Sequence, residues 1–378
     1  MYGSYQRRRS FVCDKKDIRV GEGFKPSPTK FRGDDFMNRI LVTRTDRIGD
    51  VILSLPAIKA IRKAFPDAYI AVMVQPRIDD ILKGNPHIDE VIVYDKNKKH
   101  KGILKNLGFI KGLRSKKFDM ALNLHSTKRT NLLCFLAGIP RRIGYARGKA
   151  DFLLTDKIEY TKKLGEKHEA EYSLDVLRYL GISPEFSNPF ICVQQGDEKK
   201  AEEILKTLGV ASGEKFAILH PGASCKSKMW PLENFAKTGD MLIENLKIKP
   251  MINLAPGQVD LGEKVRGLMK NKPVFFCDPT TLGELAALFK KASLVISNDS
   301  GPADIAASVG SPVISIFGRN QKGLSPVRWR PLGTKALAIH KDVGCADCLA
   351  HDCKKDFLCL RAITAEEVFK EAEKLLNV

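Results

Sequence analysis

Residue types that could move a proton stand together in TRTDRIGDVILSLPA, residues 43–57. Asp50 follows Gly49 at the point where a strand-like run gives way to a helix-like one. A carboxylate in this position can cap the helix by accepting hydrogen bonds from backbone N–H groups, or it can act as a general base. Asp46, on the same loop, could take either role. The loop is not a G-x-G-x-x-G sequence, so it does not favour a dinucleotide-dependent oxidoreductase.

A second segment, HPGASCKSKMWP at residues 220–231, has residue types that suit a diphosphate. It follows a strand-like run and combines small residues, among them Ser224, with Lys226 and Lys228. A diphosphate needs backbone N–H donors that can approach closely and a cation beside them. The alternative is a solvated loop in which Trp230 is a packing anchor.

A third segment, SNDSGPADIAASVGSPVISIFG at residues 297–318, predicts a helix that begins directly after a strand. Pro302 suits the first helical turn, and Asp299 or Ser300 would cap it. The N–H groups of such a helix can hold a phosphate. The alternative is a plain capped helix. The sequence contains no G-x-x-x-x-G-K-[ST], which excludes a P-loop.

The elements that must position these segments alternate between strand and helix. Short β-branched runs such as ILVTR and YIAVMV are separated by amphipathic segments, and the same alternation restarts at KFAILH after the proline-containing residues 183–190. This pattern predicts parallel sheets covered by helices on both faces. We therefore expect an α/β fold of two Rossmann-like, doubly wound lobes that face a central cleft, with ligands at the carboxyl ends of the strands.

Together the three segments resemble the signature blocks of glycosyltransferase family 9, the lipopolysaccharide heptosyltransferases. RTDRIGDVILSLPAIKAIRKAFP is similar to the first block, HPGASCKSKMWPLENFA to the second and SNDSGPADIAASVGSPVISIFG to the third. The resemblance covers about residues 38–362. It implies a GT-B architecture and an inverting reaction that needs no metal or other catalytic cofactor.

The resemblance also implies roles for individual residues. Asp50 matches the catalytic base, and Lys228 matches the lysine that neutralises the diphosphate. Further donor-binding positions match Ser224, Asp260 (as an acidic ribose contact), Asp299, Ser300, Gly301 and Pro302. Asp304 departs from the family, which has a histidine there, and so brings a carboxylate next to the expected diphosphate.

Four regions are expected along the chain. Residues 1–36 are polar and basic, which predicts a disordered extension. Residues 37–185 would form the acceptor lobe and residues 186–362 the nucleotide-sugar donor lobe. Residues 363–378 predict an amphipathic helix, with packing back on the N-terminal lobe as its expected position.

The charge of the chain predicts an anionic partner. The net charge is +19, and residues 96–117 contain nine Lys or Arg residues and no acid. Nucleic acid, anionic lipid and an acidic substrate would all fit such a charge. No nucleic-acid-binding motif occurs in the sequence, and a lysine-rich solvated surface is the further alternative. With the family resemblance, we expect an anionic lipopolysaccharide acceptor held by Lys128, Arg129 and Arg142.

The beginning of the sequence lacks the apolar core of a signal peptide, which predicts a cytoplasmic protein. A lipopolysaccharide acceptor would place it at the cytoplasmic face of the inner membrane. Basic residues there would add about 1 kcal/mol each toward anionic lipid.

Four cysteines crowd into the C-terminal region with the spacing C-x2-C-x4-C-x5-C: Cys345, Cys348, Cys353 and Cys359. Such a group could hold a structural zinc ion or an iron–sulfur cluster, remote from the chemistry. Packing and redox roles are the alternatives.

These observations lead to one expected function. The chain would transfer heptose from ADP-heptose to the inner core of lipopolysaccharide. The alternatives are a GT-B transferase or epimerase that uses another nucleotide sugar and, from charge alone, a nucleic-acid-binding protein.

Overall fold

The computed structural model describes residues 38–345 and 347–377. The extension expected at residues 1–36 lies outside the described residues. Within them, no helix is long and apolar enough to cross a bilayer.

Two six-stranded parallel sheets form the framework, one in each half of the chain. The first contains β1 to β6, and the second contains β7 to β12. The strands are β1 Arg39–Thr43, β2 Tyr69–Val74, β3 Glu90–Val93, β4 Met120–Asn123, β5 Arg141–Tyr145, β6 Asp156–Ile158, β7 Phe216–His220, β8 Lys249–Asn253, β9 Val274–Phe276, β10 Leu294–Asn298, β11 Val313–Phe317 and β12 Ala336–His340.

The two sheets have the same strand order. The first runs β3-β2-β1-β4-β5-β6 and the second runs β12-β11-β10-β7-β8-β9. Read from the first strand of each half, both orders are that of a Rossmann fold, in which the crevice opens where the order reverses. We call the first sheet with its helices the first lobe and the second sheet with its helices the second lobe. The predicted α/β fold of two Rossmann-like lobes is confirmed.

Helices join the strands and cover both faces of each sheet. They are α1 Ile48–Ile52, α2 Leu55–Ala64, α3 Ile103–Ser115, α4 Lys128–Leu136, α5 Glu169–Tyr179, α6 Gln195–Thr207, α7 Leu232–Leu246, α8 Val259–Leu268, α9 Leu282–Lys291, α10 Gly301–Ser308, α11 Pro326–Trp329, α12 Leu358–Arg361 and α13 Ala365–Leu376. Short 3-10 helices lie between them at Ile78–Leu82, Asp151–Leu153, Lys162–Leu164, Lys226–Lys228, Pro256–Gln258 and Ala350–Asp352.

The central strands are buried on both faces, which explains their unbroken apolar sequences. In β1, neighbouring residues Ile40 and Leu41 point to opposite faces and both are fully buried. Ile40 belongs to a core cluster that also includes second-lobe residues such as Phe289, so the two lobes share one apolar core.

The lobes also meet where α1 and α10 begin, the helices of the first and third expected site segments. α1 of the first lobe packs against α10 of the second. A Cβ added to Gly301 would lie 3.3 Å from Cβ of Ile48, so a side chain at Gly301 would crowd this junction. The strand-end loops of both lobes are thereby brought to one place.

The final helix corrects one expectation. α13 packs on α7 and β11 of the second lobe and buries Val368 and Phe369 in its core. Indole Nε1 of Trp230 donates to the backbone oxygen of Ile363, just before this helix, at 2.9 Å. Packing on the first lobe was therefore the wrong expectation, because the apolar face of α13 is complementary to the second-lobe core.

Candidate active site

The chain leaves β1 with a buried arginine that gathers three carboxylates. The Arg44 side chain is 2% exposed, and its nitrogens lie 2.9 Å from Asp46 Oδ1, 2.9 Å from Asp50 Oδ1 and 3.0 Å from Glu169 Oε1. Burial alone would lower the pKa of Arg44, but the three negative charges raise it above its ordinary value. A permanent cation therefore orients the carboxylates at the carboxyl end of β1.

Asp50 is not a helix cap. The residue at the N-cap position of α1 is Arg47, and its side chain makes no capping hydrogen bond. The Asp50 carboxylate instead accepts a hydrogen bond from Nη2 of Arg44. Of the two roles open to Asp50 in the sequence, the structure removes capping and leaves an oriented carboxylate at the edge of the cleft.

Asp46 stands beside Asp50 and is buried to the same extent, with side-chain exposures of 15% and 14%. Burial raises the pKa of Asp46 to about 7, against the lowering effect of Arg44 and with a further rise from Asp50. Its Oδ2 lies 3.3 Å from Nδ1 of His125. Burial and the neighbouring cations lower the pKa of His125 to about 3, so this imidazole is neutral. Asp46 therefore has a pKa that would also suit a general base near neutral pH.

Glu169, at the start of α5, links the two lobes and was not found from the sequence. Its side chain is 1% exposed and lies 2.7 Å from Lys162 Nζ and 2.7 Å from Nη2 of Arg328 in the second lobe. Burial would raise the pKa of Glu169, but Lys162, Arg44 and Arg328 together hold it below the usual range. The only sequence signal was its place in HEAEYSLDVLRYLGI, which carries no information about its partners.

These groups line a cavity of about 250 Å³ on the first-lobe side of the cleft. Among its lining residues are Asp46, Arg47, Asp50, Arg147 and Lys162. Burial lowers the pKa of Lys162 to about 8 in spite of Glu169. The cavity is therefore rimmed by cations and contains two carboxylates that could accept a proton.

The residues expected to hold the acceptor are not among those lining this cavity. Lys128 and Arg129 are exposed at the start of α4. Arg142 donates to the backbone oxygens of Ile139 and Leu153, so its guanidinium braces the chain around β5. The cations that line the cavity include Arg147 and Lys162 instead. Acceptor binding by Lys128, Arg129 and Arg142 stays a prediction.

A second cavity, of about 470 Å³, lies between the lobes at the carboxyl ends of β7 and β8. Asp46 and Arg47 line this cavity as well as the first, so the two cavities adjoin beside Asp50. Pro302 lines it, as expected. Asp260 does not line it and is exposed on the first turn of α8. The second-lobe acidic side chain that lines the cavity is Asp278.

Lys228 and Asp299 meet at the start of α10. Lys228 Nζ lies 3.0 Å from Asp299 Oδ2, and Nη2 of Arg319 donates to the same oxygen at 2.9 Å. Two cations thus share one carboxylate next to the free N–H groups of a helix N-terminus, an arrangement suited to exchanging a carboxylate for a phosphate.

The hydroxyls of Ser300 and Ser224, both expected near the phosphates, lie in different surroundings. Ser300 is the N-cap residue of α10, but its side chain makes no capping hydrogen bond, and Asp299 contacts Lys228 and Arg319. The expectation that Ser300 or Asp299 would cap the helix is thereby corrected. The Ser300 hydroxyl instead lies 3.0 Å from that of Ser297, and Gly301 stands against α1. Ser224 is exposed on its loop.

Asp304, on the first turn of α10, is buried at the junction of the lobes. It is 8% exposed, and no hydrogen bond within the described chain reaches its Oδ1. A Cβ on Gly49 would collide with its Oδ2. Burial, with the charges of Asp299 and Asp50, raises the pKa of Asp304 well above its ordinary value. A raised pKa favours the protonated form of Asp304, which would lessen the repulsion that a second charged carboxylate exerts on a diphosphate.

The four C-terminal cysteines lie apart from this cleft. Cys345, Cys348, Cys353 and Cys359 are free and line one cavity of about 290 Å³ in the second lobe. The backbone N–H of Phe357 donates to Sγ of Cys353 at 3.4 Å. Within the described residues, no three His, Cys, Asp or Glu side chains are arranged to hold a metal ion.

Comparison with known proteins points to one family. The family model described as glycosyltransferase family 9 (heptosyltransferase) matches residues 107–358. Lipopolysaccharide heptosyltransferase 3 of Escherichia coli is 29% identical over 337 residues, which are 87% of this chain and 95% of that protein.

Two solved structures are similar over most of their length. A glycosyl transferase family 9 protein from Veillonella parvula has a TM-score of 0.80 and 26% identity, with 93% of this chain and 99% of that chain covered. The E. coli ADP-heptose lps heptosyltransferase II has a TM-score of 0.74 and 21% identity, with coverage of 90% and 99%. At 21% identity, the second likeness shows the fold alone, which is GT-B.

Proposed function

The chain belongs to glycosyltransferase family 9, and from this premise we propose that it transfers heptose from ADP-heptose to the inner core of a lipopolysaccharide. That it is a glycosyltransferase follows from the family. The donor, the sugar and the acceptor are the proposal, and the names of its relatives support them.

The observation that carries the proposal is the meeting of the two cavities beside Asp50. The larger cavity, between the lobes, has the size and the strand-end position of a nucleotide site. The smaller cavity is rimmed by cations and contains Asp50, and it shares Asp46 and Arg47 with the larger one. A donor in the larger cavity and an acceptor hydroxyl in the smaller one would bring the reacting atoms together at Asp46, Arg47 and Asp50.

In the proposed reaction Asp50 takes the proton of the acceptor hydroxyl. The hydroxyl oxygen then forms a bond to the anomeric carbon of the heptose from the face opposite the diphosphate. The bond from that carbon to the diphosphate breaks, and ADP leaves with the electron pair, which inverts the anomeric configuration. Arg44 supports this role because its ion pair fixes the direction of the Asp50 carboxylate.

The leaving diphosphate would be stabilised from the second lobe. Lys228 would exchange its contact with Asp299 for a phosphate oxygen, and the N–H groups at Gly301 would face the same charge. Arg319 would remain with Asp299, so the carboxylate keeps a partner when Lys228 moves. The Asp278 side chain is our revised candidate for the acidic ribose contact.

We also propose that the reaction needs no metal ion, since Lys228 and the helix N-terminus supply the positive charge. The acceptor would be presented at the cytoplasmic face of the inner membrane, in keeping with the cationic first lobe.

The four cysteines carry a separate proposal, a structural zinc ion that would draw the thiolates together around it. Elemental analysis of protein purified without chelator should then find about one zinc per chain. Four freely titrating thiols without metal would contradict this proposal and leave the catalytic one untouched.

The experiment that tests the function is a panel of nucleotide sugars assayed against lipid A–core acceptors in the presence of chelator. ADP-heptose should give the highest kcat/KM, and chelator should leave the rate unchanged. Preference for another nucleotide sugar, or epimerisation of the donor without transfer, would replace the proposed reaction by one of the alternatives.

A further inference from the structure

Three strongly exposed large apolar side chains form a ridge on α3. Leu104 is 83% exposed, Ile103 80% and Leu107 52%. Residues three and four positions apart lie on one side of a helix, so these three side chains share a face. The buried residues of α3, Ile110 and Leu113, lie in its second half. The first two turns therefore project their apolar side chains into solvent.

A fixed group of lysines surrounds this ridge. Lys98, Lys99, Lys101 and Lys105 are exposed. The turn that carries the first two is held by the Asp95 carboxylate, which accepts the backbone N–H groups of both lysines. This segment belongs to the run 96–117, which has nine cationic residues and no acid. The charges are thus presented by an ordered turn that leads directly into the apolar ridge.

We propose that this face, residues 98–107, docks on an anionic bilayer. Ile103, Leu104 and Leu107 would enter the boundary between headgroups and acyl chains, while the lysines contact the headgroups. An apolar helix face next to a basic one is the arrangement by which helices lie in a membrane interface, and lysines near the surface add electrostatic attraction. This inference rests on the proposed function only for the identity of the membrane, the cytoplasmic face of the inner membrane.

Other occupants fit this face less well. In a two-fold dimer the same surface is presented by both copies, so the cationic run of one chain would face that of the other. A nucleic acid would use the lysines through its phosphates but would leave the apolar ridge in water. An anionic lipid surface satisfies both parts.

The position of α3 gives the docking a consequence for the acceptor. α3 follows β3, so its first turns lie toward the carboxyl ends of the first sheet, the edge that carries Arg44 and Asp50. A bilayer in contact with this face would lie on the cleft side of the lobe. The smaller cavity would then open toward a saccharide attached to that bilayer.

The test is flotation of the full chain with vesicles of phosphatidylcholine containing about a quarter phosphatidylglycerol. The triple variant Ile103→Ser, Leu104→Ser, Leu107→Ser should bind at least about tenfold more weakly than the natural chain. Replacing Lys98, Lys99, Lys101 and Lys105 by Gln should weaken binding on the order of a hundredfold at low salt. That loss should disappear at about 1 M salt, where charges are screened within about 3 Å.

A matched control removes exposed apolar side chains from the second lobe. Val259→Ser with Leu268→Ser, both in α8 and 40% and 47% exposed, should leave vesicle binding unchanged. All variants should keep their melting temperature, ADP affinity and activity on a water-soluble core acceptor without lipid. Failure of the proposed function would appear as a lack of ADP binding or of activity on the soluble acceptor. Failure of the docking face would appear only in the vesicle measurements.

Several outcomes would overturn the docking face. These are no vesicle binding by the natural chain, undiminished binding by the triple serine variant, or an equal loss in the control. A dimer that the serine substitutions dissociate would make the face a self-interface. Tighter binding to duplex DNA than to vesicles would make it a nucleic-acid site.

Discussion

The two lobes share one strand order, yet their cleft edges handle charge in opposite ways. At the end of β1, Arg44 and Glu169 are almost completely buried, and each touches several opposite charges. At the start of α10, the second lobe offers an uncapped helix N-terminus and a carboxylate shared by Lys228 and Arg319. In the proposed function, the first edge would hold a proton acceptor in place. The second would exchange an internal anion for a bound one.

The difference between the edges should be largest in the response to loss of Asp50. Asp50→Asn should lower kcat by about 10²–10⁴-fold, because it removes the general base, while ADP affinity and melting temperature change little. Steady-state kinetics, ADP titration and thermal melting separate these effects. Asp46→Asn is the matched comparison.

If Asp46→Asn instead produces the large loss in kcat and Asp50→Asn does not, Asp46 is the base. In that case kcat/KM of the natural enzyme should rise with pH through about 7, the pKa that burial gives Asp46.

Glu169→Gln tests whether the stability of the first-lobe edge depends on the ion pairs of Glu169. The substitution leaves Arg44, Lys162 and Arg328 without a shared anion, so we expect unfolding free energy to fall by about 3–5 kcal/mol. Because the folded pKa of Glu169 is depressed, its contribution is present above the unfolded pKa of about 4.3 and is lost as pH falls further.

Denaturant unfolding of both proteins should therefore show a difference that shrinks below about pH 4. Glu171→Gln, on the same helix, is the control because it lies outside the Arg44 network and should cost much less. Equal costs for the two variants would mean that the network does not stabilise the junction.

Lys228→Ala should have a smaller effect of a different kind. We expect about 10–100-fold weaker ADP binding together with a lower kcat, because the ammonium meets the diphosphate before and during bond breaking. Titration with ADP and single-turnover kinetics measure the two parts. Lys226→Ala, two residues away on the same loop, should leave both unchanged, and an equal loss there would remove the special role of Lys228.

Asp304→Asn should have the smallest effect and the opposite sign. A raised folded pKa means that the stability linked to protonation is present below the unfolded pKa of about 3.9 and is lost as pH rises. An amide cannot ionise, so the variant should gain about 1 kcal/mol or more over the natural chain at neutral pH. Melting curves from pH 5 to about 8 should show a widening gap, and a constant gap would mean that Asp304 is charged throughout.

The comparison of the lobes also shows where sequence reasoning succeeded. The strand-ending segments at residues 43–57, 220–231 and 297–318 do stand at the cleft, because the alternation of strands and helices is a local pattern. The expected roles of Ser224, Lys228 and Asp50 remain predictions. The expected side-chain cap of α10 was wrong, because it was inferred from position alone. The acceptor cations and the ribose contact also stay predictions, although Asp278 lines the larger cavity and Asp260 does not.

By itself the sequence determined two α/β lobes with parallel sheets and the positions of three motifs at their strand ends. Hydrophobic periodicity and turn residues determine these features because each depends only on residues close together in the chain. Only the tertiary structure decided which charges meet. Glu169 reaches Arg44 across 125 residues of chain and Arg328 across 159, and the burial of Asp46 and Asp304 depends on packing around them. Partners and pKa values are long-range quantities, because they depend on which distant segments exclude water from the same point.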